Sequence, residues 1–300
     1  MKKITIFTPT YNRAYCLPKL YKSLLKQNLN LFEWIIIDDG STDNTKSIVD
    51  EWKKENKIHI GYYYQNNSGK MSAHNWAVKL AKYDLFMCVD SDDFLLPNTL
   101  HELLAEWEKC KDDAEIAGII AYRRVIDKNG YSMKNQGIPL EIKTCKVFDV
   151  MMNKWVAETT LLYRTNVLRQ YPFPVIEGEK FISEIYIYNK IDDAYKMHVF
   201  RKEIQECRYL NDGYTKNIHK IIANNPKGYI LYYKDLYLRT KNKRKKLKCL
   251  IQLIACNIIS HQKTIKSLHE IEKSYFFIFL LPIGYIYKYI KLDPFLKQKK

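Results

Sequence analysis

The sequence predicts an α/β fold in which a mostly parallel sheet is flanked by helices. Three apolar, strand-like runs at residues 4–7, 32–37 and 85–89 each end in a polar cluster, and a helix-like segment follows each one. Strands that alternate with helices are typical of a parallel sheet. Apolar runs without interruption fit strands that are buried on both faces.

The remaining elements follow from the same pattern along the chain. Helices are predicted after the three runs, at residues 17–27, 42–54 and 97–109. Further strands are predicted at residues 58–64, 116–124, 155–163 and 197–209, and further helices at residues 72–82, 164–171, 181–191 and 250–259. Residues 127–130 have the composition of a hairpin turn.

The densest negative charge in the chain follows the third apolar run. Asp90, Asp92 and Asp93 fall within four positions, and carboxylates this close repel one another unless neighbours neutralise them. Hard divalent cations held by oxygen ligands commonly do so, and Mg²⁺ typically binds through one or two carboxylates together with substrate phosphates. The run therefore predicts Mg²⁺ or Mn²⁺ beside a phosphorylated ligand.

Polar residues at the other strand ends belong to the same predicted site. In open α/β sheets, ligands bind outside the carboxyl ends of the strands. Tyr11 follows the first strand and Asp39 the second. We therefore expect Tyr11, Asp39, Asp90 and Asp92 to share one edge of the sheet.

Composition and charge narrow the class of protein. The 300 residues are 47% hydrophobic and 27% charged, which is typical of a folded protein. A net charge of +16 favours a polyanionic partner: nucleic acid, anionic lipid or nucleotide phosphate. Seven scattered cysteines without a Cys-x-x-Cys pair fit reduced thiols in a cytoplasm. The first apolar run is too short for a signal peptide.

The charge is concentrated late in the chain. A basic run at residues 241–248 precedes an uncharged aromatic stretch at residues 274–287. That stretch is shorter than a spanning helix, and with the basic run it predicts a helical extension, residues 216–300, that lies on a membrane surface. The competing interpretation is a packed helical tail that covers the core. No nucleic-acid-binding motif is present, so nucleic acid is not the expected partner.

Three motifs in a fixed order carry a resemblance to a known family. They are Thr8-Pro9-Thr10-Tyr11-Asn12-Arg13, Asp38-Asp39-Gly40-Ser41-Thr42-Asp43 and Asp90-Ser91-Asp92-Asp93. The set resembles the family 2 glycosyltransferases, which are inverting enzymes of the GT-A fold that use nucleotide-sugar donors. The resemblance is close over about residues 3–110. It implies a GT-A domain at residues 1–215, with a nucleotide-binding half at 1–110 and an acceptor half at 111–215.

The resemblance also implies roles for single residues. Tyr11 packs against the nucleobase beside Pro9, and Asp39 accepts a hydrogen bond from the base, usually uracil. Asp90 faces the ribose or the metal, and Asp92 ligates the Mn²⁺ or Mg²⁺ that bridges the diphosphate.

Two basic residues are expected near the donor phosphates by the same resemblance. They are Lys70 and, as a weaker candidate, Arg13. A solvated loop lysine is the alternative for Lys70. His74, one turn further along the same predicted helix, is interpreted as structural rather than catalytic.

The general base is the hardest assignment. The family places it on an acidic residue after the nucleotide-binding half, near the start of a helix, and residues 177–184 have that character. Glu184 is the predicted base, with Glu179, Asp192 and Asp193 as competitors.

The expected activity is transfer of a sugar, from a UDP-linked donor, to a glycan or lipid-linked acceptor in bacterial surface polysaccharide synthesis. The expected location is the cytoplasmic side of the cell membrane, with peripheral attachment. The alternative is a basic protein that binds nucleic acid or membranes and has no transferase activity. The oligomeric state is left open.

Overall fold

The predicted α/β architecture is present in this computed structural model, which describes residues 3–127, 130–133, 137–156, 158–208, 216–273 and 275–296. The chain divides into two units. The first comprises Met1–Phe173 and Ile187–Tyr209, and the second Pro174–Tyr186 and Leu210–Lys300. The hairpin turn predicted at residues 127–130 lies partly outside the described residues. The functional division into donor and acceptor halves stays a prediction.

A single sheet organises the first unit. Its strands within the described residues are β1 (Ile4–Thr10), β2 (Phe32–Asp38), β3 (Ile60–Tyr64), β4 (Leu85–Cys88), β5 (Phe94–Leu95), β6 (Ile116–Ile126), β7 (Thr144–Cys145), β8 (Thr159–Arg164) and β9 (Lys196–Arg208). Their order is β3-β2-β1-β4-β8-β6-β9-β5, and β7 pairs with β9. The strands from β3 to β4 are parallel, whereas β8 runs antiparallel to both of its neighbours.

Helices cover this sheet and supply the rest of its core. Those between residues 1 and 191 are α1 (Leu17–Leu24), α2 (Thr45–Glu55), α3 (Lys70–Leu80), α4 (Thr99–Trp107), α5 (Val147–Asn153), α6 (Thr165–Gln170) and α7 (Glu184–Ile191). Every residue of β2 is buried, as expected for a strand covered on both faces. Trp34 of β2 stacks with Trp52 of α2 at a centroid distance of 5.9 Å. Burial of such large apolar side chains holds the strand ends in place.

Helices form the second unit. They are α8 (Ile218–Asn224), α9 (Pro226–Arg239), α10 (Lys243–Ile259), α11 (Thr264–His269), α12 (Leu281–Tyr287) and α13 (Asp293–Leu296), with short 3₁₀ and π segments at Tyr275–Leu280 and Lys288–Leu292. The predicted helix at residues 250–259 is longer than expected, because the basic run forms its first turns as part of α10. A Cβ at Gly284 would collide with the side chain of Ile254, so glycine permits the close approach of α12 to α10.

The last segment differs from its sequence prediction. Helical conformation continues past the uncharged stretch, so that Tyr275–Leu296 is 22 residues long, and an 18-residue stretch within it has a mean hydropathy of 1.3. Within the described part of the chain, this is the one helix with the length and composition to cross a bilayer. Phe277 and Leu292 are fully buried in the core of the second unit, while only 22% of the most apolar 18-residue stretch of the segment is buried.

Candidate active site

Three neighbouring strands end at one edge of the sheet, called here the rim. Thr10 at the end of β1 pairs with Asp38 at the end of β2, and the N–H of Asp39 donates to the carbonyl of Thr10 at 2.8 Å. On the other side of β1, the N–H of Val89 donates to the carbonyl of Phe7 at 2.8 Å. The parallel register therefore brings the residues after β1, β2 and β4 to the same edge, as the sequence predicted.

The first two motifs are joined by hydrogen bonds between their loops. The N–H of Asn12 donates to Ser41 Oγ at 2.8 Å, and the N–H of Thr42 donates to Asn12 Oδ1 at 2.8 Å. Asn12 has a φ of 52°, a left-handed conformation in which asparagine is enriched. Tyr11, which precedes Asn12, is 48% exposed, and its contact with a nucleobase stays a prediction.

Asp39 orders the loop that leads to α3. Its Oδ1 accepts hydrogen bonds from Gln65 Nε2 at 2.7 Å and from the N–H of Ser68 at 2.7 Å. Its Oδ2 accepts from the N–H of Gly69 at 2.9 Å. Gly69 has a φ of 92°, which glycine adopts without steric cost. These contacts explain the position of Asp39, and its contact with a nucleobase stays a prediction.

Lys70 reaches the acidic cluster from the first position of α3. Its Nζ lies 2.6 Å from Asp90 Oδ1, and its side chain is 11% exposed. The alternative of a solvated loop lysine is therefore wrong. Desolvation alone would raise the pKa of Asp90, but the charges of Lys70 and Arg123 hold that pKa below its ordinary value.

The third aspartate of the cluster points into the protein, which the sequence analysis did not foresee. Asp93 Oδ2 accepts hydrogen bonds from Arg123 Nη1 at 3.1 Å and from Gln205 Nε2 at 2.5 Å. Arg123 Nη1 also lies 4.0 Å from Asp90 Oδ2. Desolvation raises the pKa of Asp93 to about 7, although Arg123 opposes the rise. The adjacent pair Arg123 and Arg124 in the otherwise largely apolar strand β6 was the available signal for this contact.

Asp90 and Asp92 are the carboxylates that suit a metal ion. Asp92 is partly exposed, and desolvation together with the charge of Asp90 raises its pKa. A cation would relieve that repulsion. No group of three or more His, Cys, Asp or Glu side chains in the described residues could hold a metal ion. The assignment of a metal ion to this pair stays a prediction, and such an ion would take its other ligands from a diphosphate and water.

Arg13 adds positive charge on the same side of the sheet. Its guanidinium carbon lies 5.7 Å from the ring centroid of Tyr15, and it donates a hydrogen bond to the hydroxyl of Tyr15. The charge of Arg13 also opposes the rise in the pKa of Asp92 that desolvation and Asp90 cause. Pro9 is partly exposed near the end of β1, two residues before Tyr11.

Two of the competitors for the general base accept hydrogen bonds from the N-termini of helices. Glu179 accepts hydrogen bonds from the N–H groups of Lys227 and Gly228, at 2.7 and 2.8 Å, at the start of α9. Asp192 accepts from the N–H groups of Val147 and Phe148, at 3.1 and 2.8 Å, at the start of α5. Both carboxylates satisfy backbone donors that a helix N-terminus leaves unpaired.

Glu184 is the first residue of α7, at the start of a helix as its predicted role requires. It belongs to the second unit, and the rim to the first. Its assignment as the base stays a prediction, with Glu179, Asp192 and Asp193 as competitors.

His74 has the surroundings of a structural residue. Its ring meets those of Phe7, Phe86 and Phe173 nearly edge-on, at centroid distances of 5.7, 5.3 and 5.0 Å. Desolvation, with a smaller effect of Lys70, lowers the pKa of His74 to about 3. The imidazole is therefore neutral at physiological pH.

The chain is similar in sequence to known bacterial proteins. Chondroitin synthase of Escherichia coli is 34% identical over 132 residues, which are 44% of this chain and 19% of that protein. Glycosyltransferase GlyG of Streptococcus pneumoniae is 25% identical over 213 residues, which are 70% of this chain and 68% of that protein. The chain thus spans about a fifth of the first relative and about two thirds of the second.

Solved structures show the same fold. Staphylococcus aureus TarS 1–349 in complex with UDP-GlcNAc matches with a TM-score of 0.59 and 20% identity, over 94% of this chain and 79% of that one. The mannosyltransferase PcManGT of Pyrobaculum calidifontis, in complex with GDP-Man and Mn²⁺, matches with a TM-score of 0.52 and 16% identity. The match covers 99% of this chain and 82% of that one. At these identities the matches establish the GT-A fold.

A family model completes the comparison. The model of glycosyl transferase family 2 matches residues 5–169, which are more than half of the 300-residue chain and include all three motifs at the rim. The protein therefore belongs to glycosyl transferase family 2.

Proposed function

We propose that this protein is an inverting glycosyltransferase that moves a sugar from a UDP-linked donor to a glycan or lipid-linked acceptor in bacterial surface polysaccharide synthesis. The observation that carries the proposal is the Asp90–Asp92 pair at the rim, with Lys70 beside it. The choice of UDP is supported by the complexes of TarS with UDP-GlcNAc and UDP. The choice of acceptor is supported by the name of TarS, a poly(ribitol-phosphate) β-N-acetylglucosaminyltransferase.

The donor would bind along the rim. The half-exposed ring of Tyr11 offers a face on which a uracil stacks. Asp39 keeps the loop at residues 65–69 in place and would meet the edge of the base. Asp90 and Asp92 would hold Mn²⁺ or Mg²⁺. When bound, the ion supplies Lewis-acid stabilisation of the charge that develops on the leaving diphosphate.

Lys70 contributes to departure of the diphosphate independently of the ion. Its ammonium is already oriented at the rim by Asp90, so it needs little reorganisation to face developing negative charge. Arg123 and Gln205 anchor Asp93 from β6 and β9. This anchoring holds the turn that carries Asp90 and Asp92 while charge moves.

The acceptor side requires a base. As the acceptor oxygen bonds to the anomeric carbon, the bond from that carbon to the diphosphate oxygen breaks, and the hydroxyl proton passes to a carboxylate that we assign to Glu184. Displacement in a single step inverts the anomeric configuration, through a transition state that resembles an oxocarbenium ion. A carboxylate base contributes about 10²–10⁴-fold in rate.

A lipid-linked acceptor would place the reaction at a membrane. The segment Tyr275–Leu296 and the basic run at the start of α10 support peripheral attachment to the cytoplasmic face.

Calorimetric titration of the full chain with UDP-, GDP- and CMP-linked sugars, each with and without Mn²⁺, tests the proposed donor. We expect binding of a UDP-sugar that Mn²⁺ strengthens. Thermal unfolding provides a second readout, since a ligand at 100 times its Kd stabilises the folded state by about 2.7 kcal/mol. Absence of binding by every nucleotide sugar in the presence of Mn²⁺ would contradict the proposal.

A further inference from the structure

The segment Tyr275–Leu296 in the second unit has one buried and one exposed apolar face. Large side chains are exposed at Tyr275, Ile278, Tyr285 and Tyr289, and at five further positions that recur three or four residues apart, as on one side of a helix. These five are Phe276, Phe279, Ile283, Ile286 and Ile290. Phe279 is 81% exposed and Ile290 59% exposed. A contiguous apolar stripe of this kind on a protein surface marks an interaction site.

An open groove lies beside this stripe. It has a volume of about 540 Å³ and is lined by residues from the end of α10, from α11 and from α12: Ile258, Lys263, Thr264, Ile265, Lys266, Leu281 and Tyr285. Lys263 and Lys266 are exposed, and neither ammonium forms an ion pair with a carboxylate of the described residues. The groove thus combines an apolar lining with two cationic groups at its edge.

The charge of the chain is concentrated in the same region. Residues 216–300 contain 19 basic residues (lysine or arginine) and four acidic residues. Residues 1–215 contain 30 basic and 29 acidic residues. Nearly all of the net charge of +16 therefore belongs to the C-terminal extension. Such a charge attracts an anionic surface over a distance of about 8 Å at physiological ionic strength.

We propose that the groove binds an anionic phospholipid of a bilayer, with an acyl chain along its apolar lining and the phosphate between Lys263 and Lys266. The exposed stripe then lies in the interface, as the apolar face of an interfacial helix does. The aliphatic members of the stripe, such as Ile283 and Ile286, favour lipid over nucleic acid, which binds by base stacking on aromatic rings and by backbone contacts. This site gives the proposed peripheral attachment a specific ligand, and it does not depend on the transfer reaction.

Co-sedimentation of the full chain with extruded vesicles tests the site. Vesicles of phosphatidylcholine alone are compared with vesicles that contain phosphatidylglycerol, and only the latter should bind strongly. A basic side chain near an anionic leaflet contributes about fivefold in partitioning, so Lys263→Ala/Lys266→Ala should weaken binding about 25-fold. The matched control is Lys53→Ala/Lys54→Ala, which removes two exposed lysines from α2 and should bind like the wild type.

A second variant tests the apolar lining without disturbing the core. Ile265 lines the groove and is 53% exposed, so Ile265→Asp should fold and should lose binding to phosphatidylglycerol vesicles. Equal binding to both vesicle types, or wild-type binding by both groove variants, would overturn the proposal.

Other outcomes separate the alternatives. Retention in the membrane after alkaline carbonate extraction would mean that the segment spans the bilayer, and preferential binding to single-stranded RNA would mean a nucleic-acid surface. Either result would also overturn the lipid groove. Titration of the same variants with UDP measures binding at the donor site separately. If no UDP binds, that result counts against the proposed function and leaves the lipid proposal unaffected.

Discussion

Replacing His74 with phenylalanine should make the first unit more resistant to acid. The imidazole is buried among Phe7, Phe86 and Phe173, and its pKa is lowered from 6.5 to about 3. As the pH falls through this window, the unfolded chain takes up a proton that the folded chain does not. The contribution of the neutral imidazole to stability is therefore present above pH 6.5 and is lost progressively towards pH 3.

The size of the effect follows from those two pKa values. One pKa unit corresponds to about 1.4 kcal/mol. Between pH 7.5 and pH 5, linkage predicts that the wild-type chain loses about 2 kcal/mol of unfolding free energy through His74 alone. His74→Phe removes this pH-dependent loss. Any change in packing stability that the larger ring causes is the same at both pH values and cancels in the difference between them.

Urea denaturation, monitored by tryptophan fluorescence, measures this loss of unfolding free energy in the first unit. All five tryptophans lie between residues 34 and 155, within the first unit. The control His59→Phe changes the same residue type at an exposed position and should keep the wild-type loss. If His74→Phe loses as much stability as the wild type between pH 7.5 and pH 5, the buried neutral imidazole is refuted.

Three further variants test the rim and the base. Asp92→Asn should abolish Mn²⁺-dependent turnover and Mn²⁺-enhanced UDP binding in calorimetry, and an unchanged dependence on Mn²⁺ would remove Asp92 from the metal site. Glu184→Gln should lower kcat about 10²–10⁴-fold with near-normal donor affinity, whereas a wild-type rate together with an inactive Asp193→Asn would move the base to Asp193. Arg123→Met should destabilise the first unit by about 3–5 kcal/mol because Asp93 loses its buried partner, and Arg123→Met/Asp93→Asn should recover part of this loss in the urea assay.

The meeting of the three motifs at one edge of the sheet could be predicted because its signals are local. Each apolar run specifies a buried strand, and the polar cluster after it specifies the strand's end. Parallel pairing then places these ends at one edge without any information from distant parts of the chain. Tyr11, Asp39 and Asp90 were assigned to that edge in this way, and the register of β1 with β2 and β4 places them there.

The support beneath the acidic cluster could not be predicted in the same way. Arg123 and Gln205 lie 30 and 112 positions from Asp93. They meet it because β6 pairs with β9, a pairing that no local pattern encodes. Lys70 was ambiguous for the same reason, since only the loop held by Asp39 directs its side chain to Asp90.

The sequence by itself determined the α/β class, the family, the edge of the sheet at which the three motifs meet and the basic character of the C-terminal extension. These properties depend on the order of residue types along short segments. Tertiary structure alone decided which aspartates face solvent and which is buried, and which acidic residues cap helices. It also decided how the apolar tail divides into a buried and an exposed face. Each of these properties depends on contacts between segments that are far apart in the chain. At such contacts, burial and charge pairing determine which arrangement has the lowest free energy, and the local sequence pattern does not.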